Sequence, residues 1–369
     1  MIARLVAALV AGAAFLCAGA GTARADDLLC VGGSGCRADA LSPSPVAAPD
    51  GAHPVGRVDA ALTAPDRSRA IMVSVWYPAA RAGAPAAYIP AADPVAQSWI
   101  AVVSAQWLHT PVAAIAMVGA TIGATEGAPV DTSLGRLPVV IVSPGLGTPR
   151  FILSGLATDL ASRGYVAVTM DHTGESPAVE FPGGRITFGD RTRPYDAGYM
   201  SRRLADRLDD TRLALDRLPT LPIVGPLVDL GRIAMAGHSY GGLTAVQTMS
   251  RDPRVRAAVV LDGPAGWSEV AATPVLDRPV LLLSAGDMVH ESWKAFRDPR
   301  FELASVTGAG HYVATDLPAL GGGTDLCGIV PADRAATVTR GTVTGWLDRH
   351  LLDRDIPRPA YPELIWHHE

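Results

Sequence analysis

The sequence predicts an α/β fold, a mostly parallel sheet with helices on both faces. Three observations lead there. Short runs at 70–76, 138–142, 165–170, 232–236, 257–261 and 279–283 are apolar almost throughout, as strands buried on both faces are. Helical patterns such as 152–163 and 201–218 lie between most of them, the alternation that a parallel sheet with crossover helices requires. Residues 232–242 read RIAMAGHSYGG, so that Gly237-His238-Ser239-Tyr240-Gly241 falls between one of those strands and a helical run at 243–249. Gly-x-Ser-x-Gly at a strand-to-helix turn holds the serine in a strained conformation with its hydroxyl exposed, and only glycine-sized residues fit at the flanking positions.

From the N-terminus, residues 1–25 have Arg4, an apolar run at 5–19 and Ala23-Arg24-Ala25 before Asp26-Asp27, the layout of a cleaved signal peptide, which predicts a secreted protein. The apolar run is too short for a membrane anchor. Its removal takes two arginines and no acid, moving the net charge of −5 two units further negative. An acidic chain whose only lysine is Lys294 is poorly suited to nucleic acid. Cys30, Cys36 and Cys327 remain after cleavage, enough in an oxidising compartment for one disulfide whose pairing the sequence leaves open. Residues 26–60, rich in Gly, Ala, Pro and Ser, read as an irregular arm, and 61–369 as one catalytic domain.

Within that domain, 201–218 forms a helix on whose face Leu204, Leu208, Leu213, Leu215 and Leu218 roughly fall; its many Arg and Asp residues read as a solvated surface. An apolar insertion precedes the loop after 138–142: residues 94–125 carry no Asp, Glu, Lys or Arg. Trp99, Ile100, Val103 and Trp107 share a helical face there, and Thr110-Pro111 caps a second helix over 112–123. Gln106, His109 and Pro111 argue against a membrane span, leaving either core or an exposed lid that touches lipid surfaces.

Two partners for Ser239 follow it. The strand 257–261 ends in Asp262-Gly263-Pro264, and 301–306 leads to Gly308-Ala309-Gly310-His311. Ser, then Asp, then His is the chain order of α/β-hydrolase triads. The chemistry needs each type: a hydroxyl is a poor nucleophile until an imidazole takes its proton, and a carboxylate fixes the imidazole's tautomer and stabilises the imidazolium. The oxyanion needs two donors, supplied by the backbone N–H of Tyr240 and one from Ser143-Pro144-Gly145-Leu146-Gly147. Asp287, after the next strand, is the alternative acid.

VSVWYPA (73–79), SPGLGTPRF (143–151), LASRGYVAVTMDH (160–172), RIAMAGHSYGG and VVLDG (259–263) resemble the platelet-activating factor acetylhydrolase family and its bacterial relatives, in consistent order over 71–311. The resemblance implies an α/β-hydrolase fold and a serine carboxylic ester hydrolase. It implies Ser239 as nucleophile, Asp262 as acid, His311 as base, and the amides of Leu146 and Tyr240 as oxyanion hole. Substrates would be short-acyl phospholipid-like or other lipid esters. The chain departs from the pattern in Pro144, where a histidine is usual, and in the proline-rich segment 219–226. Alternatives are a broad-specificity esterase or cutinase-like polyester hydrolase, and a non-catalytic lipid binder of the same fold.

The other histidines have structural readings. His238 packs under the turn, His172 closes a strand, and His367-His368 forms a frayed tail. His290-Glu291 begins like a zinc-protease helix, but Lys294 stands where the second histidine belongs. No metal and no cofactor are implied.

Overall fold

A computed structural model of the chain describes residues 45–66, 68–190, 195–267, 269–286, 289–296 and 300–367. The expected signal peptide, Cys30, Cys36 and Asp287 lie outside the described residues.

The strands in chain order are β1 (Val55–Thr63), β2 (Ala70–Pro78), β3 (Pro85–Ala87), β4 (Thr121–Glu126), β5 (Leu137–Ser143), β6 (Val166–Met170), β7 (Ala178–Phe181), β8 (Arg185–Phe188), β9 (Val228–His238), β10 (Val255–Leu261), β11 (Val280–Ala285), β12 (Phe301–Val306) and β13 (Leu364–His367). The helices are α1 (Pro94–Trp107), α2 (Pro111–Met117), α3 (Ser154–Ser162), α4 (Ala197–Arg217), α5 (Tyr240–Arg251), α6 (Thr324–Cys327) and α7 (Ala332–His350).

Eleven strands form one sheet in the order β13-β12-β11-β10-β9-β5-β6-β2-β1-β4-β3, while β7 and β8 make a separate hairpin. The run from β12 to β6 is parallel throughout, and β13 and β2 join its two ends antiparallel. Alternate residues of each central strand serve two cores. Val140, Val142, Ala234, Ala236, Val259 and Leu261 pack with Leu156 and Leu160 of α3 and Val338 and Trp346 of α7. Val139, Ile141, Ile233, Met235, Ala258 and Val260 pack with Ala214 and Leu215 of α4 and Val246 and Met249 of α5. Both faces are therefore covered, which is why these strands read as unbroken apolar runs. The architecture is an α/β-hydrolase fold. Its parallel strands β9, β10 and β12 end on the same edge, where their following loops carry Ser239, Asp262 and His311.

Several expectations need correction. Residues 55–60, read as part of the irregular arm, belong to β1, which pairs with β2 along its whole length. Arg57 and Asp59 break its apolar pattern, yet both are satisfied: Arg57 pairs with Glu126 of β4, and Asp59 accepts from Arg150 at 3.3 Å. The second helix of the insertion stops at Met117 instead of running to 123; Gly119 adopts a positive φ of 72° and Thr121 begins β4. Within the insertion Ile100 is buried and Trp99, Val103 and Trp107 are half-buried, so the tryptophans do not form an exposed face. The exposed apolar side chains are Val95, Val112, Ile115 and Val118. Among the described residues no helix is long and apolar enough to cross a membrane.

The charged face of α4 is not wholly solvated. Arg207 and Asp210 have no exposed surface and lie on the stripe of Met200, Leu204, Thr211 and Ala214, each held by a partner distant in sequence. His367 is no frayed end; it closes β13 against β12, with Nε2 2.8 Å from Ser305 Oγ. Cys327 is buried, and burial pushes its thiol up to about 11.

Candidate active site

β9 runs into α5 through a single residue. Ser239 holds φ 53° and ψ −119°, a left-handed conformation that costs a non-glycine residue of order 1–3 kcal/mol and persists only where its surroundings enforce it. They do so here. A Cβ on Gly237 would lie 2.1 Å from Gly241 O, and one on Gly241 would lie 2.1 Å from Ser143 O, so neither position accepts a side chain. The glycines of the Gly-x-Ser-x-Gly pattern are thus required by the packing of β9, α5 and β5 against one another.

The serine, acid and base proposed from the sequence come together. His311 Nε2 lies 2.9 Å from Ser239 Oγ, and His311 Nδ1 lies 2.5 Å from Asp262 Oδ2. A carboxylate only accepts, so Nδ1 carries the proton and Nε2 presents its lone pair to the Ser239 hydroxyl. The other oxygen of Asp262, Oδ1, accepts from Ala285 N–H at 2.8 Å, which fixes the carboxylate's orientation. Asp262 itself has a φ of 50°, at the turn where β10 ends. The His311 side chain is 42% exposed, open to a substrate on one side.

His238 is buried beneath, its ring 4.7 Å from that of His311. Its Nε2 donates to the backbone carbonyl of His311 at 2.8 Å. Burial, with the neighbouring His311, pushes the pKa of His238 down to about 3, so it stays neutral and acts as a fixed donor. Sequence reading placed it under the turn but did not find this contact.

The loop 143–147 lies against the serine: a Cβ on Gly145 would stand 3.4 Å from Ser239 Cβ. Tyr240 is the first residue of α5, so its N–H belongs to the turn whose donors have no partner within the helix. Among the described residues, neither of the two amides expected to bind an oxyanion makes a backbone hydrogen bond. A cleft of about 360 Å³ is lined by Ser239, His311, Asp262, Pro264, Trp267 and His290. Trp267 is 42% exposed and meets the Tyr240 ring edge-on, presenting an aromatic surface to whatever enters.

The model of the platelet-activating factor acetylhydrolase, isoform II family matches residues 41–182 and 224–297, more than half of the chain. The chain belongs to that family. The match to the acetylhydrolase family takes in Leu146, Ser239, Tyr240 and Asp262 and ends before His311. The chain is similar to a protein of Arthroderma benhamiae named "Probable 1-alkyl-2-acetylglycerophosphocholine esterase", 28% identical over 62% of this chain and 66% of the relative. It is also similar to the bis(hydroxyethyl) terephthalate hydrolase of Streptomyces coelicolor, 27% identical over 49% of each chain. Both matches take in less than two thirds of the relative's length. Among solved structures, a ferulic acid esterase from Streptomyces cinnamoneus superposes with a TM-score of 0.71 and 33% identity, over 89% of this chain and all of the other.

Proposed function

We propose that the chain is a secreted carboxylic ester hydrolase that works through an acyl-enzyme on Ser239. What carries the reading is the line of hydrogen bonds Ser239 Oγ, His311 Nε2, His311 Nδ1, Asp262 Oδ2, at a strained strand-to-helix turn. His311 takes the Ser239 proton as Oγ attacks the ester carbonyl, and the N–H groups of Leu146 and Tyr240 receive the oxyanion. His311 then returns the proton to the leaving alcohol, and a water molecule repeats the sequence on the acyl-enzyme. Asp262 holds the tautomer and stabilises the imidazolium.

Substrates are esters with a short or compact acyl group, phospholipid-like esters among them, in keeping with the family and the size of the cleft. A second reading, hydrolysis of aromatic-acid esters and of polyester fragments, rests on the exposed face of Trp267 and on the relatives that act on terephthalate and ferulate esters. Val112, Ile115 and Val118, exposed on and just after α2, supply an apolar surface for peripheral contact with lipid. Purified protein assayed on p-nitrophenyl acetate, a short-acyl glycerophospholipid and methyl ferulate orders these readings by kcat/KM. Hydrolysis of none of them, with no covalent reaction towards a fluorophosphonate, would leave a non-catalytic lipid binder.

A further inference from the structure

Beneath the oxyanion loop lies a buried ion pair that takes no part in the proton transfers. Arg207 of α4 and Glu175 are both buried, joined by Arg207 Nε to Glu175 Oε2 at 2.9 Å and by a second, shorter contact from Nη2 to Oε1. The pair spends its remaining capacity on one loop. Arg207 Nη1 donates to Pro144 O at 2.8 Å and Nη2 donates to Gly145 O at 2.9 Å. Glu175 Oε1 accepts from Gly147 N–H at 3.0 Å. The guanidinium also lies 5.2 Å from the centre of the Tyr240 ring.

These contacts bracket Leu146. Gly145 C=O and Leu146 N–H belong to one planar peptide, and no cis peptide occurs among the described residues, so the carbonyl and the N–H point in opposite directions. Arg207 draws the Gly145 carbonyl into the protein, which turns the Leu146 N–H outward. Thr148 adds two donors to the same carbonyl, its N–H at 3.2 Å and its Oγ1 at 2.9 Å, so a flip of this peptide would break them together with the Arg207 contact, while Glu175 holds the next peptide through Gly147. A further buried chain braces Arg207: Nη1 donates to Ser143 Oγ at 3.2 Å, Ser143 lies 2.9 Å from His172 Nε2, and His172 Nδ1 donates to Asp210 at 2.9 Å. This Ser-His-Asp series has no exposed surface, and its serine hydroxyl is already engaged by both neighbours.

We propose that Arg207 and Glu175 are positioning residues for catalysis: their buried ion pair sets the direction of the Leu146 N–H so that the oxyanion donor is oriented before substrate arrives. The proposal rests on the reading of Ser239 and Leu146 given above. A donor held in place needs no reorganisation as charge develops, and loss of one such donor costs about 10²–10³ in turnover.

The test compares wild type, Arg207→Lys, Glu175→Gln and Ser239→Ala on p-nitrophenyl acetate. Affinity for a trifluoromethyl ketone, which forms an oxyanion adduct on an active serine, and melting temperature are measured alongside. Arg207→Lys keeps the charge but cannot serve two carbonyls and a carboxylate together. It is expected to lose about 10²-fold or more in kcat per folded molecule with KM within about threefold, and to lose ketone affinity by the same factor as kcat/KM. Glu175→Gln keeps size and shape and is expected to lose about tenfold in both, the smaller loss because the carbonyl contacts of Arg207 survive. It carries the test if Arg207→Lys does not fold. A purely structural role lowers only the melting temperature, and full kcat with full ketone affinity in the folded variants overturns the proposal. Retained turnover in Ser239→Ala would instead overturn the reading of the site itself.

Discussion

Replacing Asp262 with asparagine isolates the acid's role with almost no change in shape. Asp262 Oδ1 accepts from Ala285 N–H, and an asparagine oxygen can keep that bond at its 2.8 Å length. The other position, now an amide NH₂, would then face His311 Nδ1, where the wild-type carboxylate accepts at 2.5 Å. Two donors cannot share that contact, so the imidazole is forced into the tautomer with its proton on Nε2. That nitrogen lies 2.9 Å from Ser239 Oγ and can no longer take the hydroxyl proton. A wrong tautomer of this kind costs about 10⁴-fold in turnover, or about 5 kcal/mol of transition-state stabilisation. The assay is steady-state hydrolysis of p-nitrophenyl acetate, with circular dichroism and melting to show that the fold is kept. Asp287→Asn serves as the comparison and is expected to lose far less. A folded Asp262→Asn enzyme within tenfold of wild type, beside an Asp287→Asn enzyme reduced by several orders of magnitude, would refute the assignment of the acid.

Two further outcomes follow from the packing and the charges. In Gly241→Ala the new methyl would stand 2.1 Å from Ser143 O and 2.6 Å from Pro144 O, so the loop must move. Overpacking of roughly 1–3 kcal/mol exceeds the gain of about 1 kcal/mol from alanine in a helix, and both melting temperature and kcat should fall; full turnover with an unchanged melting temperature would contradict this. Glu302 is buried, which raises its pKa, but His350, Arg358 and Arg349 more than offset that and hold it at about 2. A depressed folded pKa stabilises above the unfolded value of about 4.3 and the contribution is lost as pH falls towards 2. Glu302→Gln should therefore be less stable than wild type near pH 6, with the gap closing between about pH 4.5 and 2 in urea unfolding; a gap that stays constant would contradict it.

What was legible in the sequence was what local pattern encodes. Runs such as 257–261 and 279–283 are apolar because both faces of those strands are covered, and their short length and their place between helical patterns find them. The turn at Ser239 was legible because its glycines are fixed by contacts under 3 Å, and the strand ends after Leu261 and Val306 located Asp262 and His311. β1 was missed because Arg57 and Asp59 interrupt its alternation, and their partners Glu126 and Arg150 lie 69 and 91 residues away. Arg207 and Asp210 were misread as surface for the same reason, since Glu175 and Arg69 are brought to them only by the tertiary fold. The one local signal was position: Arg207 stands in the stripe of Met200, Leu204, Thr211 and Ala214, where a charge without a partner would be costly. The end of α2 turned on Gly119, a positive-φ residue that apolar composition hides.

Covalent labelling tests most directly whether Ser239 is an activated nucleophile. Purified protein treated with a fluorophosphonate, digested and mapped by mass spectrometry should carry one adduct on the peptide containing Ser239, formed in step with loss of p-nitrophenyl acetate hydrolysis, and Ser239→Ala should show neither adduct nor turnover. An adduct on another residue, or a folded Ser239→Ala protein that still hydrolyses the ester at the wild-type rate, would contradict the account.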